Sequence, residues 1–477
     1  MTKVWLATLA GALAFFGGDV ATGSTAAKHD VSIPMDDGVS IAATLYLPDG
    51  TPPPGGWPAI VLLHGLAGNR QQINALVETY APLTGNYALL TFDARGHGDS
   101  GGLVGIDGPR EVADTRAVRD WLVARPDVSD TRIGAWGISY GGGAVLNSLV
   151  AGVPWAAVAV VETWTDLGAA LFPQGLLKSG VVAGLADGIP ESRRDPSLAP
   201  LALAALSGSV APARPWAAAR SSLARLGSVT TPVFMAQGRR DFLFGLDQGT
   251  RAFTRLAGPK ELYVGLHGHA PSSFPAADTP LLLSRTATWF DCYLRAACPT
   301  PALPKQRVEI VPENYSAIGD AGVATRGTLP PVAPTFVSFP GVSTFAQSGK
   351  AVRTSAPLRA PVEIFGSPTV QASVAASGGW SRLVAVLTAK TRAGKEIVVS
   401  EGGVPTKPGA RKVTIQLLSQ ATYVPKGARL TLTIGSSSTK QSASNLVYLD
   451  LPMASGARAR VGTVTLKLPG LRTRVTK

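Results

Sequence analysis

Six short apolar runs recur between Ala59 and His269: "AIVLLHG" from Ala59, "ALLTFDARG" from Ala88, "RIGAWG" from Arg132, "AAVAVVE" from Ala156, "PVFMAQG" from Pro232 and "ELYVGLHGH" from Glu261. They are continuous rather than alternating, the pattern of strands buried on both faces of a parallel sheet. Helical periodicity fills the gaps. In "EVADTRAVRDWLVARP", Ala117, Val118, Trp121 and Leu122 share one face and Pro126 stops the helix. In "YGGGAVLNSLVAG", Ala144, Val145, Leu149 and Val150 form the buried side. Strands alternating with helices predict an α/β sandwich. Ahead of it, "VSIPMDDGVSIAATLYLP" shows two alternating runs around Asp37 and Gly38, a hairpin signal.

Two stretches break this rhythm. Residues 163–228 are rich in Ala, Leu and Pro and read as short helices, placed where a cap over the carboxyl ends of the strands would be inserted. Beyond Cys298 the helical signal stops. "PTPALP" reads as a linker, and alternating runs such as "VTIQLL", "ARLTLTIG", "LVYLDLP" and "GTVTLKL" are separated by Gly, Pro and Ser turns, which predicts an all-β sandwich or jelly roll. The expected order is an α/β domain over 28–299 with a helical cap at 163–228, then a linker and β domain over 300–477.

Composition narrows the class. Of 477 residues, 45% are hydrophobic and 16% charged, enough apolar surface to outweigh the entropy of ordering, which excludes a disordered chain. The net charge of +13 is scattered rather than clustered, and no nucleic-acid motif accompanies it, so a solvated basic surface is expected. At the N-terminus, Lys3, the apolar "VWLATLAGALAFF" and the small residues of "ATGSTAA" have the layout of an export signal, expected over residues 1–27. The apolar run is short for a membrane span, so a secreted or periplasmic protein without stable membrane insertion is expected. Cys292 and Cys298, close in sequence at a helix end before Pro299, suit a disulfide in that compartment. Two cysteines without nearby histidines cannot fill a tetrahedral shell, and the sequence has neither a paired-histidine zinc helix nor a nucleotide glycine loop; no metal or cofactor is expected. The oligomeric state is not legible.

Candidate chemistry centres on "RIGAWGISYGGG". The Gly-x-Ser-x-Gly pattern around Ser139 is by itself close to a chance match in a chain with 53 glycines. Its context is stronger: a strand, a tight turn and a helix present the hydroxyl at a helix N-terminus, where developing negative charge is favoured. A serine hydroxyl needs a base, and the chain has five histidines. His29 precedes every core strand. His64, in "LLHGLAGN", flanks the loop that would donate an oxyanion amide, and His97 lies in the glycine-rich "DARGHGDSGG". His267 and His269 follow the last apolar run in "GHGH"; both are candidates, and His269 is preferred. Asp241, in "GRRDFLF", is the expected orienting carboxylate, with Asp247 the runner-up. The order Ser139, Asp241, His269 is that of α/β-hydrolases. The backbone N–H groups of Leu66 and Tyr140 are the expected oxyanion donors.

These residues, with "IPMDDGVSIAATLYLP", "EVADTRAVRDWLVARPDVSDTRIGAWGISYGG", "WTDL", "GHGHAP", "WFDCYL" and the later "TSAPLRAPVEIFGSPTVQASVAAS" and "VPKGARLTLTIGSSS", resemble the cocaine esterase and X-Pro dipeptidyl peptidase family of serine hydrolases. The resemblance implies an α/β-hydrolase fold with a helical cap insertion and a C-terminal jelly roll, with Ser139, Asp241 and His269 matching the family triad. Relatives often place a tyrosine hydroxyl in the oxyanion hole and a tryptophan before the base. Here "LLHGLAGNR" stands at the first place and Leu266-His267-Gly268 precedes His269. Dipeptidyl peptidase specificity would need a carboxylate for the substrate's free amine, and Glu162, Asp166, Asp187 and Glu191 are the candidates. The expected activity is cleavage of an acyl bond, a carboxylic ester or also an amide, of a small-molecule or short-peptide substrate through an acyl-enzyme, with an X-Pro dipeptidyl aminopeptidase as the alternative and with Trp164, Leu171, Phe172, Leu176 and Leu177 lining an apolar pocket. A non-catalytic glycan or cell-wall binding protein on the same fold is the alternative from another class.

Overall fold

The computed structural model describes residues 26–79, 85–316, 321–346, 348–438 and 446–476, so all but the last two residues of the expected export signal lie outside the described residues. The six apolar runs become strands β3 (Trp57–Leu63), β4 (Ala88–Phe92), β5 (Val128–Ile138), β6 (Ala157–Val161), β7 (Val233–Gly238) and β8 (Lys260–Gly265). The hairpin is β1 (Ala27–Pro34) with β2 (Ser40–Leu47), paired antiparallel. All belong to one sheet in the order β1-β2-β4-β3-β5-β6-β7-β8, parallel from β4 through β8.

Burial of both faces explains why these runs lack alternation. In β6, Val158 and Val160 enter the core on one side, while Ala157, Ala159 and Val161 enter the core on the other. β7 divides in the same way, with Val233 and Met235 opposite Phe234 and Ala236. Each Val, Leu or Phe fully buried in this way contributes roughly 1.5–3 kcal/mol. Helices Pro109–Val123, Tyr140–Val150, Leu246–Arg255 and Thr279–Arg295 pack on the sheet. Cys292, near the end of the last of these, is disulfide-bonded to Cys298. Strand order reverses about β3, which pairs with β4 on one side and β5 on the other; the carboxyl ends of the strands there open the crevice where ligands of such sheets bind.

Between β6 and β7 the chain forms four short helices, Leu167–Leu171, Ser179–Asp187, Leu198–Leu206 and Ala213–Ala218. They share a core with Tyr140, Phe242 and Phe244, which lie beside the carboxyl ends of β5 and β7.

The region after Cys298 departs from expectation in one respect. β9 (Gln306–Ile310) and β10 (Ala324–Arg326), read as part of the linker and β domain, extend the α/β sheet beyond β8. β9 pairs parallel with β8 because the helix Thr279–Arg295 carries the chain back across the sheet. A short strand in sequence carries no mark of which sheet it will join. The rest is all β. In chain order the strands are β11 (Val332–Phe339), β12 (Ser343–Ala346), β13 (Ala351–Thr354), β14 (Val362–Gly366), β15 (Thr369–Ser377), β16 (Arg382–Lys390), β17 (Glu396–Pro405), β18 (Gly409–Gln416), β19 (Gln420–Val424), β20 (Arg429–Gly435) and β21 (Arg458–Leu471). They make a seven-stranded and a four-stranded antiparallel sheet around their own apolar core. β21 is central: it pairs with β11, β12, β14 and β15.

Candidate active site

Ser139 sits between β5 and the helix Tyr140–Val150 with φ +54° and ψ −115°, a conformation that L residues rarely adopt. The turn is tight enough to require its glycines. A Cβ on Gly137 would lie 2.3 Å from Gly141 O, and one on Gly141 would lie 2.3 Å from Leu63 O. Neighbouring backbone holds the strained residue: its N–H donates to Val161 O (2.8 Å), and Thr163 Oγ1 donates to its carbonyl (2.7 Å).

The Ser139 hydroxyl lies 2.9 Å from His269 Nε2, and His269 Nδ1 lies 2.7 Å from Asp241 Oδ2. That carboxylate oxygen also accepts the His269 N–H, while Oδ1 accepts the N–H groups of Leu243 and Phe244. Asp241 is fully buried. Burial works to raise its pKa, but the charge and hydrogen bonds of His269 outweigh it and hold the carboxyl below its usual range. Burial works to lower His269, yet the Asp241 charge and hydrogen bond carry it up to about 9. The phenyl ring of Phe244 meets the imidazole edge-on at 5.1 Å.

The other histidines lie elsewhere. His29 is exposed on β1. His267 is buried with its ring stacked on Tyr263, 3.7 Å from Asp278, and neither of its ring nitrogens takes part in Ser139's hydrogen-bond chain. His97 is buried against Tyr140, and burial pushes it down to about 3. His64 is locked: Nε2 accepts the Ala94 N–H and Nδ1 donates to Gly65 O. Burial lowers it to about 4, so it stays neutral and braces the loop that carries Leu66. Asp247, the runner-up acid, opens the helix Leu246–Arg255 and does not bond the base.

Ser139, Leu66 and Tyr140 line one cleft of about 530 Å³ under the cap. Trp164, Leu171, Phe172 and Leu177 line it too, with Leu243 and Phe244 from the acid's loop. Leu176 does not; it packs against Gly403 of the β domain. Its backbone is extended, so successive side chains point opposite ways and Leu177 takes the cleft. Of the carboxylates weighed for an amine site, Asp166 caps a cap helix and pairs with Arg251, Asp187 is exposed, and Glu191 belongs to the cleft wall beside Arg194 and Asp195. Glu162 is buried beside the base.

Residues 37–271 match the model of the X-Pro dipeptidyl-peptidase (S15) family. Ser139, Asp241 and His269 all lie within the matched stretch. The quorum-quenching protein AidA of Acinetobacter baumannii (strain MDR-ZJ06) is 33% identical over 148 residues, 29% of this chain and 45% of that protein. The chain spans less than half the length of the curated relatives it matches. A CocE/NonD family hydrolase from Staphylococcus aureus superposes with a TM-score of 0.70 at 14% identity, over 93% of this chain and 94% of that one. An alpha-amino acid ester hydrolase superposes with a TM-score of 0.64 at 16% identity, over 96% and 99%. These two likenesses concern the fold, and both extend through the C-terminal β domain.

The loop carrying Asp241 is held from outside the α/β sheet, by residues that sequence reasoning passed over. From the cap, the buried Lys178 donates from Nζ to the carbonyls of Phe242 (2.8 Å) and Leu243 (2.9 Å). From the β domain, Gln420 donates to Asp241 O (2.9 Å), Ala421 N–H donates to Arg239 O, and Ser419 O accepts the Leu246 N–H. Arg239 forms a buried ion pair with Glu363 of β14 at 2.7 Å. None of these carries a local motif.

Proposed function

We propose that the protein is a serine esterase that hydrolyses carboxylic esters bearing an apolar group through an acyl-enzyme. The observation that carries this reading is the hydrogen-bonded series Ser139, His269, Asp241 opening on an apolar cleft. His269 Nε2 accepts the hydroxyl proton as Ser139 Oγ attacks the ester carbonyl. Asp241 keeps the Nδ1–H tautomer and stabilises the imidazolium. The N–H groups of Leu66 and Tyr140 receive the oxyanion. His269 then protonates the departing alkoxide, and a water activated by the same imidazole releases the acid from Ser139. Esters are favoured over dipeptidyl substrates because the wall nearest the nucleophile is apolar. Asp195, a charged residue of the wall, is already engaged by the N–H and hydroxyl of Ser197.

The test compares p-nitrophenyl butyrate with an Ala-Pro anilide. Ester turnover well above anilide turnover is expected; rapid anilide cleavage without ester cleavage would make the protein a dipeptidyl peptidase instead. Turnover of neither substrate would favour a binding module.

Because a protonated His269 cannot accept the serine proton and its pKa is raised, kcat/KM should fall as pH drops, with the acid limb above pH 6.5, the ordinary imidazole value. A limb at or below that value would contradict the electrostatics described here. We also propose export. The N-terminal signal pattern and the Cys292–Cys298 disulfide support it, and N-terminal sequencing of protein recovered outside the cytoplasm tests it.

A further inference from the structure

Glu162 follows directly on β6, between the two residues that hold the nucleophile: Val161, whose carbonyl accepts the Ser139 N–H, and Thr163, whose hydroxyl donates to Ser139 O. Its φ is +42°, a left-handed conformation with no steric reason to favour glutamate. Its N–H donates to Ala236 O of β7, which pins the strained backbone. The side chain is 4% exposed. One carboxylate oxygen of Glu162, one of Asp241 and a ring nitrogen of His269 all lie within 4.8 Å of one another, and Glu162 Oε2 is buried without a hydrogen-bond partner. Burying an acid this way is costly unless a nearby charge compensates it. Two imidazoles can supply that charge: His267, and His269 when it takes the serine proton.

We propose that Glu162 is a second carboxylate of the catalytic relay, a positioning residue that acts through His269 and shares with Asp241 the imidazolium formed when Ser139 attacks. The ends of β5, β6 and β7, adjacent in the sheet, then supply the nucleophile, this second acid and the first acid in turn. The inference rests on the triad reading above.

The charged groups around Glu162 set the consequence. His267 and His269 face it from the loop after β8, Asp241 from the loop after β7, and Asp278 from the start of the helix Thr279–Arg295. Lys178 of the cap acts on His269. Burial pushes Glu162 up, the two histidines pull it down and the two aspartates push it back, leaving it at about 7. Glu162 therefore gives up its proton at lower pH than His269 does, and because their charges interact the two titrate as a coupled pair.

The test is the pH profile of kcat and kcat/KM for p-nitrophenyl butyrate in the full-length wild type, Glu162→Gln, Glu162→Asp and Asp241→Asn, with and without Glu162→Gln. Toward and below about pH 7, where Glu162 takes up its own proton, the wild-type acid limb should become steeper than one proton. Glu162→Gln should lower kcat on the order of tenfold with KM little changed, and should move the limb about one unit to lower pH with a one-proton slope. Glu162→Asp should keep the limb in place, and adding Glu162→Gln to Asp241→Asn should cost a further loss on the order of tenfold. A one-proton wild-type limb overturns the inference even if Glu162→Gln fails to fold. So does a Glu162→Gln profile that superimposes on the wild type, or equal losses in the Gln and Asp variants with the limb unmoved, which is the signature of packing alone. Ser139→Ala separates the two readings. If that variant is active, the triad falls and this inference with it; if it is inactive while Glu162→Gln matches the wild type, only the role of Glu162 falls.

Discussion

Ser139→Ala and His269→Ala should each lower kcat/KM for an ester by roughly 10⁴-fold or more, Ser139→Ala with thermal stability nearly unchanged, and the double variant should be no less active than the weaker of the two alone. The reason is geometric. The serine hydroxyl is useful only while His269 Nε2 stands 2.9 Å away to take its proton, and the imidazole only while the hydroxyl is there. What survives in either variant is substrate binding in the cleft and polarisation of the carbonyl by the turn amides. Ser139→Ala spares stability because Ser139 Oγ has no tie beyond His269 among the hydrogen bonds described, whereas His269→Ala leaves the fully buried Asp241 carboxylate without its imidazole partner and should also lower the melting temperature. His267→Ala is the contrasting variant. It removes a fully buried ring stacked on Tyr263, so its effect should appear in the melting temperature first. If His267→Ala is the catalytically dead protein and His269→Ala is not, the base has been misassigned.

The second large effect concerns stability. Glu363→Ala should destabilise the protein by about 3–5 kcal/mol, because it strands the Arg239 guanidinium at 1% exposure without its counter-charge. Glu363 also accepts the N–H groups of Val475 and Thr476, so those donors lose their partner as well. The loss falls next to the acid: Arg239 is two residues from Asp241, and its carbonyl is bound by Ala421 of the β domain. Calorimetry should show a large fall in melting temperature, and the surviving protein should turn over ester more slowly as the Asp241 loop loosens. Glu363→Gln, which keeps one acceptor but removes the charge, should fall between. A wild-type melting curve for Glu363→Ala would mean that the β domain does not brace the catalytic loop.

That brace marks the boundary of what could be read in the sequence. Whatever depends on local period was legible: β3 to β8 coincide with continuous apolar runs because both faces are buried, and Ser139 stood out once a strand and a helix flanked its glycines. The meeting of Asp241 and His269 with Ser139 was legible by order along the chain, since each follows a strand whose carboxyl end faces the same crevice. Long-range pairings were not. Lys178 lies in a cap of ordinary Ala-Leu composition, and Gln420 and Glu363 lie more than a hundred residues beyond the loop they hold. Leu176 and Leu177 differ only in which way an extended backbone points them. β9 could not be assigned to the α/β sheet because its partner is chosen by the crossover helix rather than by its own residues. Glu162 appeared as one of several acids; its importance lies in a backbone angle and a three-way proximity that no linear pattern encodes.

The central claim is that Ser139 is a nucleophile activated by His269. A fluorophosphonate probe reacts only with such a serine, so the decisive measurement is the mass of the labelled peptides from folded protein. The account predicts one adduct, on the peptide containing Ser139, absent in Ser139→Ala and formed far more slowly in His269→Ala. Folded wild-type protein that takes up no label, or that carries it on another residue, would contradict it.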